Sequence, residues 1–137
     1  MGGEAKAAKV EKLEDMPEFL KEDVKAKIVE EVKKSRKYKI ILNTPSFFEK
    51  GWMPDLSRFG VKVKLLAAAL GKPMSIGGWD MKANGPKIMA RAVPAGSVYY
   101  YEFLDGYIDD LIEEICENGI SDARGNEGFG RCLLGVL

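Results

Sequence analysis

With 137 residues, 46% hydrophobic and 31% charged, the chain can bury one real core but not two ordinary ones, and it is too apolar to be disordered throughout. Its 21 basic and 21 acidic residues cancel, and it contains no histidine, which removes the commonest general base and zinc ligand and excludes histidine-dependent catalysis. No run approaches the ~18 apolar residues of a membrane span, and the start MGGEAKAAKVEK has no apolar signal core, so a soluble, cytoplasmic protein is expected.

Residues 1–16 read as a flexible tail, because Val10 and Leu13 are too few apolar anchors to dock a helix. Asp15 followed by Glu18 forms a capping-box pattern and Pro17 suits a first turn, which predicts a helix from about Pro17 to Arg36 at the start of one domain, 17–137. Leu20, Val24, Ile28 and Val32 form its core stripe, and Asp23–Lys27 and Glu30–Lys34 its outer ion pairs.

Tyr38 to Leu42 reads as a strand, followed by a long loop, Asn43 to Phe59, that is a candidate binding loop. Val61, Val63 and Leu65 alternate with Lys62 and Lys64, the period-two pattern of a strand with one wet face; Leu66 to Leu70 is ambiguous between strand and short helix. Met74 to Met81 and Lys87 to Val93 read as strands joined by an Asn84-Gly85 turn, and Pro94-Ala95-Gly96 turns into a further strand, Ser97 to Phe103. Tyr107, Ile108, Leu111, Ile112, Ile115 and Cys116 then give the strongest helical pattern in the chain, with Asp105 to cap its start and Gly119 to end it. A glycine loop and a strand from Arg131 to Val136 follow.

This order predicts an α+β, ferredoxin-like antiparallel sheet of the RRM kind, with two main helices, inserted hairpins and the first strand missing. A missing strand leaves a sheet edge for another polypeptide to cover. Cys116 and Cys132 lie in apolar runs without a CxxC neighbour and read as small buried hydrophobes. The absence of glutamine beside abundant lysine and glutamate matches thermophile composition.

Charge is segregated although the total is zero. Between Ser57 and Tyr101 the positive residues Arg58, Lys62, Lys64, Lys72, Lys82, Lys87 and Arg91 face only Asp80, which makes this stretch a candidate anion-binding surface. The acidic run Asp109, Asp110, Glu113, Glu114 and Glu117 reads as a solvated helix face suited to a basic protein neighbour rather than a metal site, because no matching carboxylate cluster lies elsewhere.

Gly125-Asn126-Glu127-Gly128-Phe129-Gly130 lacks the lysine and Ser/Thr of a P-loop and leads into a strand, so nucleoside triphosphate binding is not expected. On its own the run reads as a turn into the last strand. Lys87 and Arg91, four apart, should share one strand face beside Tyr99, Tyr101 and Phe103 on the next, an arrangement of basic and aromatic strands used by sheet-based RNA binders, although the core is the favoured place for those three aromatics. Trp52 and Trp79 each follow a glycine and are candidates for base stacking or partner contact, against the commoner role of anchoring a loop to its own core.

Taken in order, NTPSFFEKGWMPDL (Asn43 to Leu56), the word GWD within IGGWDMKANGPKIMARAV, PAGSVYYYEF, and GFG within GNEGFGRCLLGVL resemble the third Cmr subunit family, RAMP proteins of type III-B CRISPR effector complexes. The resemblance covers about residues 38–137, roughly the C-terminal half of a family member, and implies a RAMP variant of the ferredoxin-like fold. It also implies a noncatalytic RNA-binding role in antiviral defense, holding the 5′ tag region of a guide RNA without a cofactor or metal. The partners so implied are the guide RNA, the large palm-domain subunit, the backbone RAMP subunit, and a separate polypeptide for the missing N-terminal half.

By the same resemblance Gly128, Phe129, Gly130 and Arg131 lie against RNA, with Lys87 and Arg91 supplying phosphate contacts. Two alternatives accompany this reading. One is a structural scaffold fragment of that complex. The other is a metal-independent RAMP endoribonuclease, which without histidine would rely on Tyr99 or Tyr101 with Lys87.

Overall fold

The computed structural model describes Lys9, Glu11 and residues 21–137. Apart from Lys9 and Glu11, the expected tail over 1–16 lies outside the described residues, as do the Asp15–Glu18 capping pattern, Pro17 and Leu20. Helix α1 runs over Glu22–Ser35 and ends on Arg36 in the left-handed conformation. Of its stripe, Val32 is fully buried, Ile28 packs against the core, and Val24 stays exposed. Glu30 and Lys34 form the predicted pair at 2.8 Å, and Lys25 pairs with Glu22 at 2.7 Å.

Strands β1 (Lys37–Leu42), β2 (Val61–Ala69), β7 (Val98–Gly106) and β8 (Cys132–Val136) form one sheet in the order β2-β7-β1-β8. Every neighbouring pair is antiparallel, with Tyr38 opposite Tyr101 and Ile40 opposite both Tyr99 and Leu134. Between β2 and β7 lie two ribbons, β3 (Met74–Ile76) with β6 (Ala90–Ala92) and β4 (Trp79–Asp80) with β5 (Gly85–Pro86). Helix α2 spans Ile108–Asn118, between β7 and β8. The fold is α+β with two helices and antiparallel sheets, as the pattern predicts, and is compatible with a ferredoxin-like arrangement.

The sheet order relocates the expected gap. Because β7 is antiparallel to both β1 and β2, those two run parallel with β7 between them, and β7 and β8 likewise enclose β1. This is the split crossover arrangement of a ferredoxin-like sheet, and β1 holds the inner place of its first strand. What the crossover lacks is a regular helix: the connection from Asn43 to Gly60 contains only a 3-10 turn at Leu56–Phe59. Helix α1 instead precedes the first strand and packs on α2 and β8. An edge left by an absent inner strand is therefore not part of this sheet.

Period-two alternation decides which face is covered. Tyr38, Ile40, Leu42, Tyr99, Tyr101 and Phe103 point to the face packed by Val32, Leu111, Ile112 and Ile115 of the helices. Tyr107, assigned by its spacing to the α2 stripe, is instead 72% exposed at the N-cap, and no side chain caps that helix; the Asp105 carboxylate accepts from the N–H of Gly106. Gly119 ends α2 as expected, its N–H donating to the Ile115 carbonyl. The ambiguous Leu66 stretch continues β2 as far as Ala69. Cys116 and Cys132 are free thiols, partly rather than fully buried, and burial pushes the Cys132 thiol up to about 12.

Candidate nucleic-acid interface

Two loops far apart in sequence meet beyond the end of α2. In the first, Thr44 hydroxyl donates to the Gly128 carbonyl at 2.8 Å and accepts from the Arg131 N–H at 2.9 Å. The Gly130 N–H donates to the Pro45 carbonyl, and the Gly130 carbonyl accepts from Ile120, both at 2.9 Å. Ser121 hydroxyl accepts from the Phe47 N–H at 2.9 Å. The NTPSFF segment is thus the clamp that shapes the glycine loop.

Arg124 joins this loop to the GWD ribbon. It sits in a left-handed conformation, donates to the Gly77 carbonyl at 3.2 Å, and grips Glu127 with two donors at 3.1 and 2.7 Å. Its guanidinium lies 4.8 Å from the Phe129 ring centroid and 5.3 Å from that of Phe47, while the two rings are 4.9 Å apart. From the ribbon side Lys87 reaches Glu127 at 2.8 Å, held in place by its own N–H bond to the Gly78 carbonyl. Two cations therefore share one carboxylate, leaving this corner with an excess of positive charge.

Hydrogen bonds from Arg124, then from Lys87, hold the Glu127 carboxyl down at about 2. A depressed carboxyl contributes stability that is complete above the ordinary value of 4.5 and is lost as pH falls toward 2. We expect the melting temperature of the chain to fall over that window, and Glu127→Gln to flatten the fall; identical acid limbs for the two proteins would show that the clasp contributes nothing.

The sequence-derived site residues are distributed differently from expectation. Gly128 has φ 89° and open space where a Cβ would stand, while its N–H donates to the Gly125 carbonyl at 2.9 Å and its carbonyl accepts from Thr44. Gly130 is buried, with both backbone polar groups already bonded. Phe129 is half-buried, its ring engaged by Phe47 and Arg124. Arg131 is exposed and bonds the Glu117 carbonyl at the end of α2.

Lys87 and Arg91 do not share a strand face. Residues 87–89 leave the extended ladder between β5 and β6, which breaks the alternation, and β6 pairs with β3 rather than lying beside β7. Lys87 faces the glycine loop, whereas Arg91 lines a cavity with Trp52. Tyr99, Tyr101 and Phe103 occupy the core, as their favoured placement had it. Burial pushes the Tyr99 and Tyr101 hydroxyls well above their usual range, and Tyr99 bonds the Trp52 carbonyl, so neither phenol is poised at a surface where RNA could be cut.

Trp52 and Trp79 are 47% and 56% exposed, which removes the reading of both indoles as core anchors. Asp80 of the GWD word has a local role: its carboxylate accepts from the N–H groups of Lys82 and Ala83 at 2.9 and 3.1 Å, building the turn, and these bonds lower its pKa. Arg124, the residue that links the two segments, escaped sequence reasoning. Its only legible signal was a lone basic residue ahead of a glycine run; the positive φ that aims it inward has no marker in residue type.

Among the described residues no cluster of acidic or thiol side chains could hold a metal ion, and no helix is long and apolar enough to cross a membrane.

The class so defined is an α+β domain, compatible with a ferredoxin-like fold, whose C-terminal glycine loop is clamped by an upstream TP segment. The family model described as CRISPR-associated protein (Cas_Cmr3) matches residues 1–137, and the chain belongs to that family. It is accordingly a type III-B CRISPR (Cmr) subunit, of a family that works within a multi-subunit CRISPR complex. The match begins at residue 1, so the segment ahead of Tyr38, which carries none of the motif words, lies inside it. No curated protein matches the chain.

Proposed function

We propose that this chain is a noncatalytic RNA-binding subunit that holds the 5′ tag region of the guide RNA and contacts the large palm-domain subunit and the backbone RAMP subunit. The observation that carries the reading is the convergence at Arg124. It draws the GWD ribbon and the GFG loop into one basic corner, with open space over Gly128 beside Lys87 and Arg131. A guanidinium and an ammonium are donors suited to the phosphates of an RNA single strand, and such contacts position a strand without reading its sequence.

A second reading, a scaffold that works through protein contacts, is favoured by one feature. The ribbon exposes Trp79, Met81, Ile88 and Met89, the last three at 84%, 91% and 66%, more apolar surface than an isolated turn requires. Native isolation of the tagged chain from its source cells, with sequencing of the RNA and mass spectrometry of the proteins retained, separates the two. We expect guide RNAs with a common 5′ end together with Cmr subunits. Subunits that remain bound after nuclease treatment, with no RNA protected on this chain, would leave the scaffold alone.

A further inference from the structure

A second site has a lining separate from the glycine loop. Trp52, Leu70, Pro73, Arg91, Val93 and Pro94 line a cavity of about 270 Å³. That is below the ~300–1,000 Å³ of pockets that enclose a drug-sized ligand, and it suits one planar ring. Its walls are built tightly: a Cβ on Gly71 would lie 2.8 Å from Pro94 Cγ, so the chain leaving β2 passes close against the proline. The Tyr99 hydroxyl donates to the Trp52 carbonyl and ties the indole-bearing loop to the core.

Three features select the occupant. The indole of Trp52 is 47% exposed, a π-face without an aromatic partner among the described residues. Arg91 is the only charged residue in the lining, and its guanidinium makes no hydrogen bond or ion pair among the described residues. The remaining walls are apolar. An apolar slot with a free aromatic face and one unpaired guanidinium at its edge is complementary to a ligand with a planar ring and an adjoining anion. A protein side chain would fill the slot but leave Arg91 without a counter-charge.

The geometry points to a nucleotide-binding pocket, in which one unstacked base of a single-stranded RNA lies against Trp52 and its phosphate pairs with Arg91. This rests on the RNA-binding reading but concerns a different set of residues from the glycine-loop corner. Stacking on an indole tolerates any base, so the pocket holds the strand without selecting sequence.

The test uses the full chain in its assembled complex and a single-stranded RNA oligonucleotide carrying 4-thiouridine at successive positions. Affinity is measured against salt, and photocrosslinks are mapped by mass spectrometry. We expect one position to crosslink at Trp52. Trp52→Ala should weaken binding about 5- to 100-fold, the loss of one stacked base, and Trp52→Phe should weaken it less. Arg91→Ala should lower the salt slope by about 0.7, one phosphate contact. Should Trp52→Ala fail to fold, Arg91→Ala and the unsubstituted crosslink map still decide.

Undiminished affinity in both alanine variants, with crosslinks confined to the glycine-loop corner, would overturn the pocket and leave the RNA reading standing. Crosslinks absent at Trp52 because a neighbouring subunit covers it would overturn it as well. No RNA binding by the unsubstituted complex would remove the RNA reading, and the pocket with it.

Discussion

Gly130→Ala should destabilise the chain by about 3 kcal/mol or more, whereas Gly128→Ala, two residues away in the same loop, should cost only about 1–2 kcal/mol. Both glycines have positive φ, 81° and 89°, so both substitutions incur the strain of a left-handed alanine. Only at Gly130 is the space also occupied: an added Cβ would lie 2.3 Å from the Ser121 N and 2.5 Å from its Cβ, and backbone cannot move aside as a flexible side chain can. Relieving that overlap separates the loop from Ile120 and Pro45, breaking the two bonds that hold the Gly130 peptide. Urea unfolding of the two variants measures the difference directly. Equal costs would mean that Gly130 is not packed against Ser121 as described.

The second expected result concerns the basic corner. Replacing Lys87, Arg124 and Arg131 together by alanine should lower the affinity of the assembled complex for guide RNA by about 100-fold at physiological salt and reduce the salt slope by about 2. The grouping differs from one drawn along the sequence, because Arg91 lies at the cavity beside Trp52 and Arg124 takes its place. Lys34→Ala, which removes an α1 charge already paired with Glu30, should leave RNA affinity unchanged. Arg124→Lys sharpens the test, since it keeps the charge but cannot reproduce both the paired bonds to Glu127 and the stacking on Phe129. Its affinity should fall nearly as far as that of Arg124→Ala. A triple variant that folds normally and binds RNA with undiminished affinity would remove the corner from the RNA path.

Elements with a clear period were legible in the residue order alone. Alternation over Lys37–Leu42 and Val61–Leu65, and the i, i+4 pattern of Ile108 to Ile115, report burial on one face, which is a local property of a strand or helix. The motif words likewise identified the family, because residue order is all that such a comparison uses. The tertiary structure alone decided the sheet order. It placed β1 between β7 and β8 and assigned the irregular connection to the crossover, and strand adjacency is a long-range choice with no periodic signal.

It also decided the site. The break after Pro86 sends Lys87 to the glycine loop and Arg91 to the cavity beside Trp52, and the left-handed turn at Arg124 aims a guanidinium at two aromatic rings. Residue types and spacing encode which side chains can do chemistry. Where those side chains meet depends on backbone turns whose energies are settled by packing across the whole domain.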